Sequence, residues 1–97
     1  MKKGYWIVRA DVTDPEKFKI YASKTPAVIG EYGGVFLVRA GQSKLVEGST
    51  RSRNTIIEFP SYKSALECWE SDAYQNVKEL RKGGGELDII IIEGLTE

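Results

Sequence analysis

Apolar residues recur along the chain in blocks of two kinds, short unbroken runs and longer stripes at helical spacing. Trp6, Ile7 and Val8 follow one another before the polar Arg9 and Asp11, so Tyr5–Asp11 reads as a largely buried strand. Thr13-Asp14-Pro15-Glu16 then supplies helix-start chemistry: a side-chain oxygen for free amides, a proline whose missing N–H is harmless, and an acid at the positive dipole end. A helix is predicted from Pro15. Phe18, Tyr21, Ala22, Thr25, Val28, Ile29 and Tyr32 recur at spacings of three and four and form its apolar stripe. Pro26 deletes one helical hydrogen bond and crowds the preceding turn, which predicts a kink or break near Lys24–Thr25. Gly33-Gly34 ends the element.

Val35–Ala40 is a second strand, apolar on both parities. Gln42–Ser52 is a mostly polar linker in which Lys44-Leu45-Val46-Glu47 predicts a short extra strand. Asn54–Phe59 is the third strand, stopped by Pro60, and Ser61 offers a cap to the helix that follows. Tyr62, Ala65, Leu66 and Trp69 share one face of that helix; Ser71-Asp72 is a second capping point, after which Tyr74, Val77 and Leu80 continue the stripe. Gly83-Gly84-Gly85 ends it. The last strand, Leu87–Ile92, is a run of β-branched residues with no alternation, a pattern that calls for cover on both faces.

Strand, helix, strand, strand, helix, strand is the split βαβ order. It predicts an α+β, ferredoxin-like βαββαβ subunit: one domain over residues 1–97, with a four-stranded antiparallel sheet and both helices on one face. The other face is then the difficulty, because the strands carry apolar residues on both. Burying such a side chain is worth about 1.5–3 kcal/mol, so exposing about six forgoes roughly 9–18 kcal/mol, comparable with the whole stability of a domain. The simplest solution is a homodimer in which two sheets pack face to face. The alternatives are that some of these residues sit at strand ends, that the linker folds over the face, or that a different partner covers it.

Composition narrows the function classes. Fourteen basic and fourteen acidic residues cancel, with no long run of either sign, so nothing gathers nucleic acid or anionic lipid. No segment approaches the ~20 apolar residues of a membrane helix. Histidine is absent and Cys68 is the single cysteine, which leaves neither the usual ligands of zinc, haem or copper nor the usual proton shuttle. No metal, haem or other cofactor is expected. A lone cysteine and an N-terminus that runs into a strand without a signal sequence read as cytoplasmic.

If the second and third strands pair with Arg39 opposite Asn54, Val35, Leu37 and Arg39 share a face with Asn54, Ile56 and Glu58. Arg39, Arg53 and Glu58 could then form a polar cluster that orients a carboxylate or carbonyl ligand, or else an ion pair that fixes strand register. Tyr21, Trp69 and Tyr74 lie on helix faces turned towards the sheet, as walls of a small pocket or simply as core. Cys68, with no histidine beside it, reads as inert, and Arg81 as a cation favourable at a helix C-terminus.

Val12-Thr13-Asp14-Pro15, Tyr32-Gly33-Gly34-Val35-Phe36-Leu37-Val38-Arg39, Glu47-Gly48, Arg53 through Glu58-Phe59-Pro60-Ser61, Trp69 with Ser71 and Tyr74, and Glu93-Gly94 together resemble the DUF1330 family of the dimeric α/β-barrel superfamily, over nearly the whole chain. The family commonly has an aromatic residue after the tryptophan and a proline after the serine, where this chain has Glu70 and Asp72. The resemblance implies a ferredoxin-like subunit that pairs through its sheet; it implies no reaction. Two functions stay open: a homodimer that binds a small organic molecule between helices and sheet, with or without cofactor-free chemistry, and a non-enzymatic structural or protein-interaction module.

Overall fold

In the computed structural model, which describes residues 1–96, the elements are β1 (Gly4–Val12), α1 (Pro15–Glu31), β2 (Val35–Arg39), β3 (Arg53–Phe59), α2 (Tyr62–Glu70), α3 (Asp72–Lys78), a 3₁₀ turn (Glu79–Arg81) and β4 (Gly85–Glu93). Glu97 lies outside the described residues. The sheet order is β2-β3-β1-β4 and every pairing is antiparallel, which is the expected ferredoxin-like arrangement. The two helical stretches connect strands that are not hydrogen-bonded neighbours, and they pack against one sheet face.

Local chemistry sets the element ends. Asp14 caps α1, its Oδ1 accepting from the backbone N–H groups of Glu16 at 3.1 Å and Lys17 at 3.4 Å, with Pro15 in the first turn. Gly33, at φ 77°, turns the chain out of α1 in a left-handed conformation that glycine adopts without strain. Ser71 serves two helices: its hydroxyl donates to the Cys68 carbonyl at 2.7 Å and accepts from the Tyr74 N–H at 3.1 Å. The single predicted helix after Ser61 is therefore two, α2 and α3, joined at the predicted capping point.

Two expectations are corrected. The helix neither ends nor breaks near Lys24–Thr25; α1 continues to Glu31 with Pro26 inside it. Pro26 has no N–H to give the Ala22 carbonyl, and that oxygen instead accepts from Arg39 Nη2 at 2.7 Å and from Thr25 Oγ1 at 3.1 Å. Burial of Val28 and Ile29 beyond the proline holds the second half in place. The extra strand at Lys44–Glu47 does not form: the segment is irregular and Val46 is 85% exposed. A lone apolar pair between polar flanks has neither a strand to pair with nor a face to bury.

The register sorts residues into rows across the sheet. On the helix side lie Phe36, Ile57, Trp6 and Ile91, then Arg39, Thr55, Val8 and Ile89, then Arg53, Ala10 and Leu87. On the open side lie Val35, Glu58, Tyr5 and Ile92, then Val38, Ile56, Ile7 and Ile90, then Asn54, Arg9 and Asp88. The core forms on the helix side around Trp6, which is 1% exposed, packs edge-on to Tyr74 at 5.0 Å between ring centroids, and donates its indole N–H to the Ala65 carbonyl at 2.9 Å. The aliphatic row Val38, Ile56, Ile7 and Ile90 crosses all four strands without cover from the described residues, and Ile90 is 53% exposed.

Candidate functional site

Between α1 and the helix side of the sheet is a cavity with about 50 Å³ of room for the centres of water-sized molecules. α1 contributes Phe18, Tyr21, Ala22, Thr25 and Ile29; the sheet contributes Trp6, Val8, Ala10, Ile57 and Leu87 as an apolar floor, with Phe36, Arg39, Arg53 and Thr55 on the β2–β3 side; α3 contributes Tyr74. Arg39 is the one exposed residue in this lining, so the cavity opens beside its guanidinium.

Of the six residues singled out in the sequence, four meet here: Tyr21, Arg39, Arg53 and Tyr74. The other two do not. Trp69 packs against Trp6 at 5.9 Å and Tyr74 at 5.3 Å, behind the lining, with Lys78 over its outer face at 5.5 Å. Glu58 faces the open side of the sheet, where its carboxylate accepts from the Tyr5 hydroxyl at 3.0 Å. The expected cluster of Arg39, Arg53 and Glu58 is thus corrected. An irregularity at Leu37 shifts the β2–β3 register by one residue, so Arg39 stands opposite Thr55 rather than Asn54 and joins Arg53 on the helix side, away from Glu58.

The result is a group of cations without acids. Arg53 lies over the Phe18 ring at 5.2 Å and has no carboxylate partner among the described residues. Arg39 stacks on Phe36 at 4.6 Å and, among the described residues, donates only to the Ala22 carbonyl. Arg81, assigned from the sequence to a helix end, lies over Tyr21 at 5.1 Å, and its buried Nε meets no acceptor. Its place was legible in one respect: Arg81 follows Tyr74 by seven residues, two turns of the same face.

The Tyr21 and Tyr74 hydroxyls are 2.7 Å apart. Two hydroxyls carry two protons and their mutual bond uses one, so one O–H donor in the cavity wall is left over. Burial pushes the Tyr74 hydroxyl well above the usual phenol range; neighbouring Tyr21 adds to this, while the Arg81 guanidinium opposes it without prevailing. The Tyr74 hydroxyl therefore stays protonated, and the pair keeps its one spare donor. No lining residue is a carboxylate, histidine, lysine or cysteine, so the wall can donate hydrogen bonds and stabilise negative charge but offers no ordinary base. Cys68 lies elsewhere, fully buried, and burial above all pushes its thiol up to about 12.

On the open side the charged rows behave oppositely. Arg51, from the linker, binds Asp88 at 2.7 Å, Asp11 at 2.9 Å and Glu86 at 3.3 Å, and the Ser52 N–H donates to Asp11 at 2.9 Å. The Ser52 amide, with Arg51, holds the Asp11 carboxyl below the usual carboxylate range. This network pins the end of the linker to β1 and β4, a role that no spacing in the sequence announced.

Four antiparallel strands in this order, with helices on one face and a cavity beneath them, define a ferredoxin-like α+β protein. The chain belongs to the DUF1330 family, described as a domain of unknown function, whose model matches residues 3–95. No functionally curated protein matches it. Among solved structures it is similar to a protein of unknown function from Rhodopseudomonas palustris, with 14% identity and a TM-score of 0.78 over 99% of this chain and 85% of that one. It is also similar to SnoaB, a cofactor-independent oxygenase from Streptomyces nogalater, with 9% identity and a TM-score of 0.65 over 100% and 97%. A third is a dimeric ferredoxin-like protein of unknown function from Bacteroides fragilis, with 13% identity and a TM-score of 0.57 over 94% and 95%. Likeness at these identities establishes the fold. Among the described residues no helix is long and apolar enough to cross a membrane.

Proposed function

We propose that the chain works as a cytoplasmic homodimer paired through its open sheet faces, each subunit holding a small organic ligand in the cavity between α1 and the sheet. The observation that carries the ligand reading is the convergence of donors without a carboxylate partner among the described residues, Arg39, Arg53 and a tyrosine hydroxyl, on an otherwise apolar cavity. The dimer reading draws on the uncovered aliphatic row and on the dimeric state of the Bacteroides fragilis neighbour. The lone, buried Cys68 suits a reducing compartment. Any reaction would be of the cofactor-free kind described for SnoaB, with the tyrosine pair and guanidinium groups stabilising an anionic intermediate.

Volume favours a rival reading, a non-enzymatic dimer module: about 50 Å³ is a third of the roughly 150 Å³ that admits benzene in an engineered cavity. A ligand must therefore be small, or extend past Arg39 through the mouth. A metabolite library screened by thermal shift separates the two. Under the ligand reading some compound stabilises the protein, the effect disappears in Arg39→Ala, and it persists in Glu58→Ala, which alters only the opposite face. Stabilisation that is absent throughout, or lost equally in Glu58→Ala, sinks it.

A further inference from the structure

The ligand reading leaves its chemistry open, and the charges around the cavity narrow it. Arg39 and Arg53 sit at diagonal positions of neighbouring strands on the same side of the sheet, two cations held together with no acid between them among the described residues. Arg81 adds a third behind the tyrosine pair. Like charges gathered beside an apolar cavity repel, and an anion from outside this side-chain set offsets that more than the solvent at the mouth does. The floor of Val8, Ala10, Ile57 and Leu87 makes no hydrogen bonds through its side chains, so the occupant needs an apolar body as well as a charged head.

Resting on the ligand reading above, we infer that the site takes a short organic acid, whose carboxylate lies at the mouth between the Arg53 and Arg39 guanidinium groups and whose apolar chain points in towards Trp6. Arg53 is the anchor, because its donors are uncommitted and the forked guanidinium matches a carboxylate. Arg39 divides its donors between the ligand and the Ala22 carbonyl orphaned by Pro26, so the same side chain ties α1 to the bound acid. The size fits: about 50 Å³ holds a few water-sized groups, as in a three- or four-carbon acid, and excludes a ring system.

The test compares propionate with propionamide, which share a shape and differ in charge, at constant ionic strength by two-dimensional NMR of the intact chain. Both probes should shift Trp6, Thr25 and Leu87 signals. Propionate should bind at least about tenfold more tightly, the ratio expected when an ionised partner gains charge-assisted hydrogen bonds. In Arg53→Gln and in Arg39→Gln the preference should collapse, whereas Arg53→Lys should keep part of it. Equal binding of acid and amide to the wild-type chain, or an undiminished preference in Arg53→Gln, overturns the assignment of an anion while leaving a ligand cavity in place. If neither probe moves a lining residue at tens of millimolar, the cavity reading itself falls.

Discussion

Arg51 and Arg53 are two residues apart and meet opposite fates. Arg51, on the open side, is held by Asp11, Glu86 and Asp88. Arg53, on the helix side, rests on the Phe18 ring over a cavity with no acid in its wall. The same side chain is structural where carboxylates surround it and a candidate for recognition where they are missing. The two faces differ in the same sense for apolar residues. Ile57 is sealed beneath α1 while its neighbour Ile56 lies in a row that none of the described residues covers.

Adjacent substitutions should break that contrast most strongly. Ile57→Ala should lower unfolding stability by about 2–5 kcal/mol at every protein concentration, since it opens a void in a closed core. Ile56→Lys should leave the fold intact, with native circular dichroism, and convert the proposed dimer to monomer in sedimentation velocity. A dimer that survived Ile56→Lys would remove the open face from the interface. Tyr74→Phe, which deletes one member of the 2.7 Å hydroxyl pair, should cost about 1 kcal/mol in chemical denaturation, the lost bond being partly replaced by water in the cavity.

The arginines sharpen the comparison at smaller scale. Arg53→Leu should raise the thermal midpoint slightly, because it removes an unpaired, half-buried cation and extends the apolar floor. Arg51→Leu should lower it and speed amide exchange in Ser49–Ser52, leaving three carboxylates to repel one another. Equal effects from the two would mean that the missing acid at Arg53 has no consequence.

The Asp11 carboxyl supplies a pH arm. Its folded-state pKa lies below the unfolded value of about 3.9, so its contribution is full above that value and is lost as pH falls through the depressed folded pKa. The protection factor of the Ser52 amide, its exchange taken relative to the intrinsic rate at each pH, should therefore fall at the acid end in the wild-type chain. In Asp11→Asn the Ser52 protection factor should be flat over the same range. The smallest effect expected is at Cys68, which should resist alkylation near pH 8 until the chain unfolds, as its thiol stays protonated up to about 12.

Much of this was legible in the chain itself. Strand and helix order, the start of α1 at Pro15 and the serine-capped joint at Ser71 follow from local side-chain chemistry and from apolar spacing, which act over a few residues and need no tertiary partner. The double-sided apolar strands likewise point to a face that the chain leaves bare. Tyr21 and Tyr74 are buried on the sheet side of their helices, the face that helical periodicity assigns them.

What only the tertiary structure decided was which polar groups meet. One extra residue at Leu37 moved Arg39 to the helix side and left Glu58 behind, and a bulge depends on how two strands close on each other rather than on either sequence alone. The continuity of α1 through Pro26 was settled in the same way. The substitute donor came from Arg39, seventeen residues beyond the carbonyl it serves. Local rules determined the elements of this protein, because backbone geometry and burial period are short-range. The cavity and its unpaired arginines came from long-range register, where a shift of one residue turns a side chain to the opposite face.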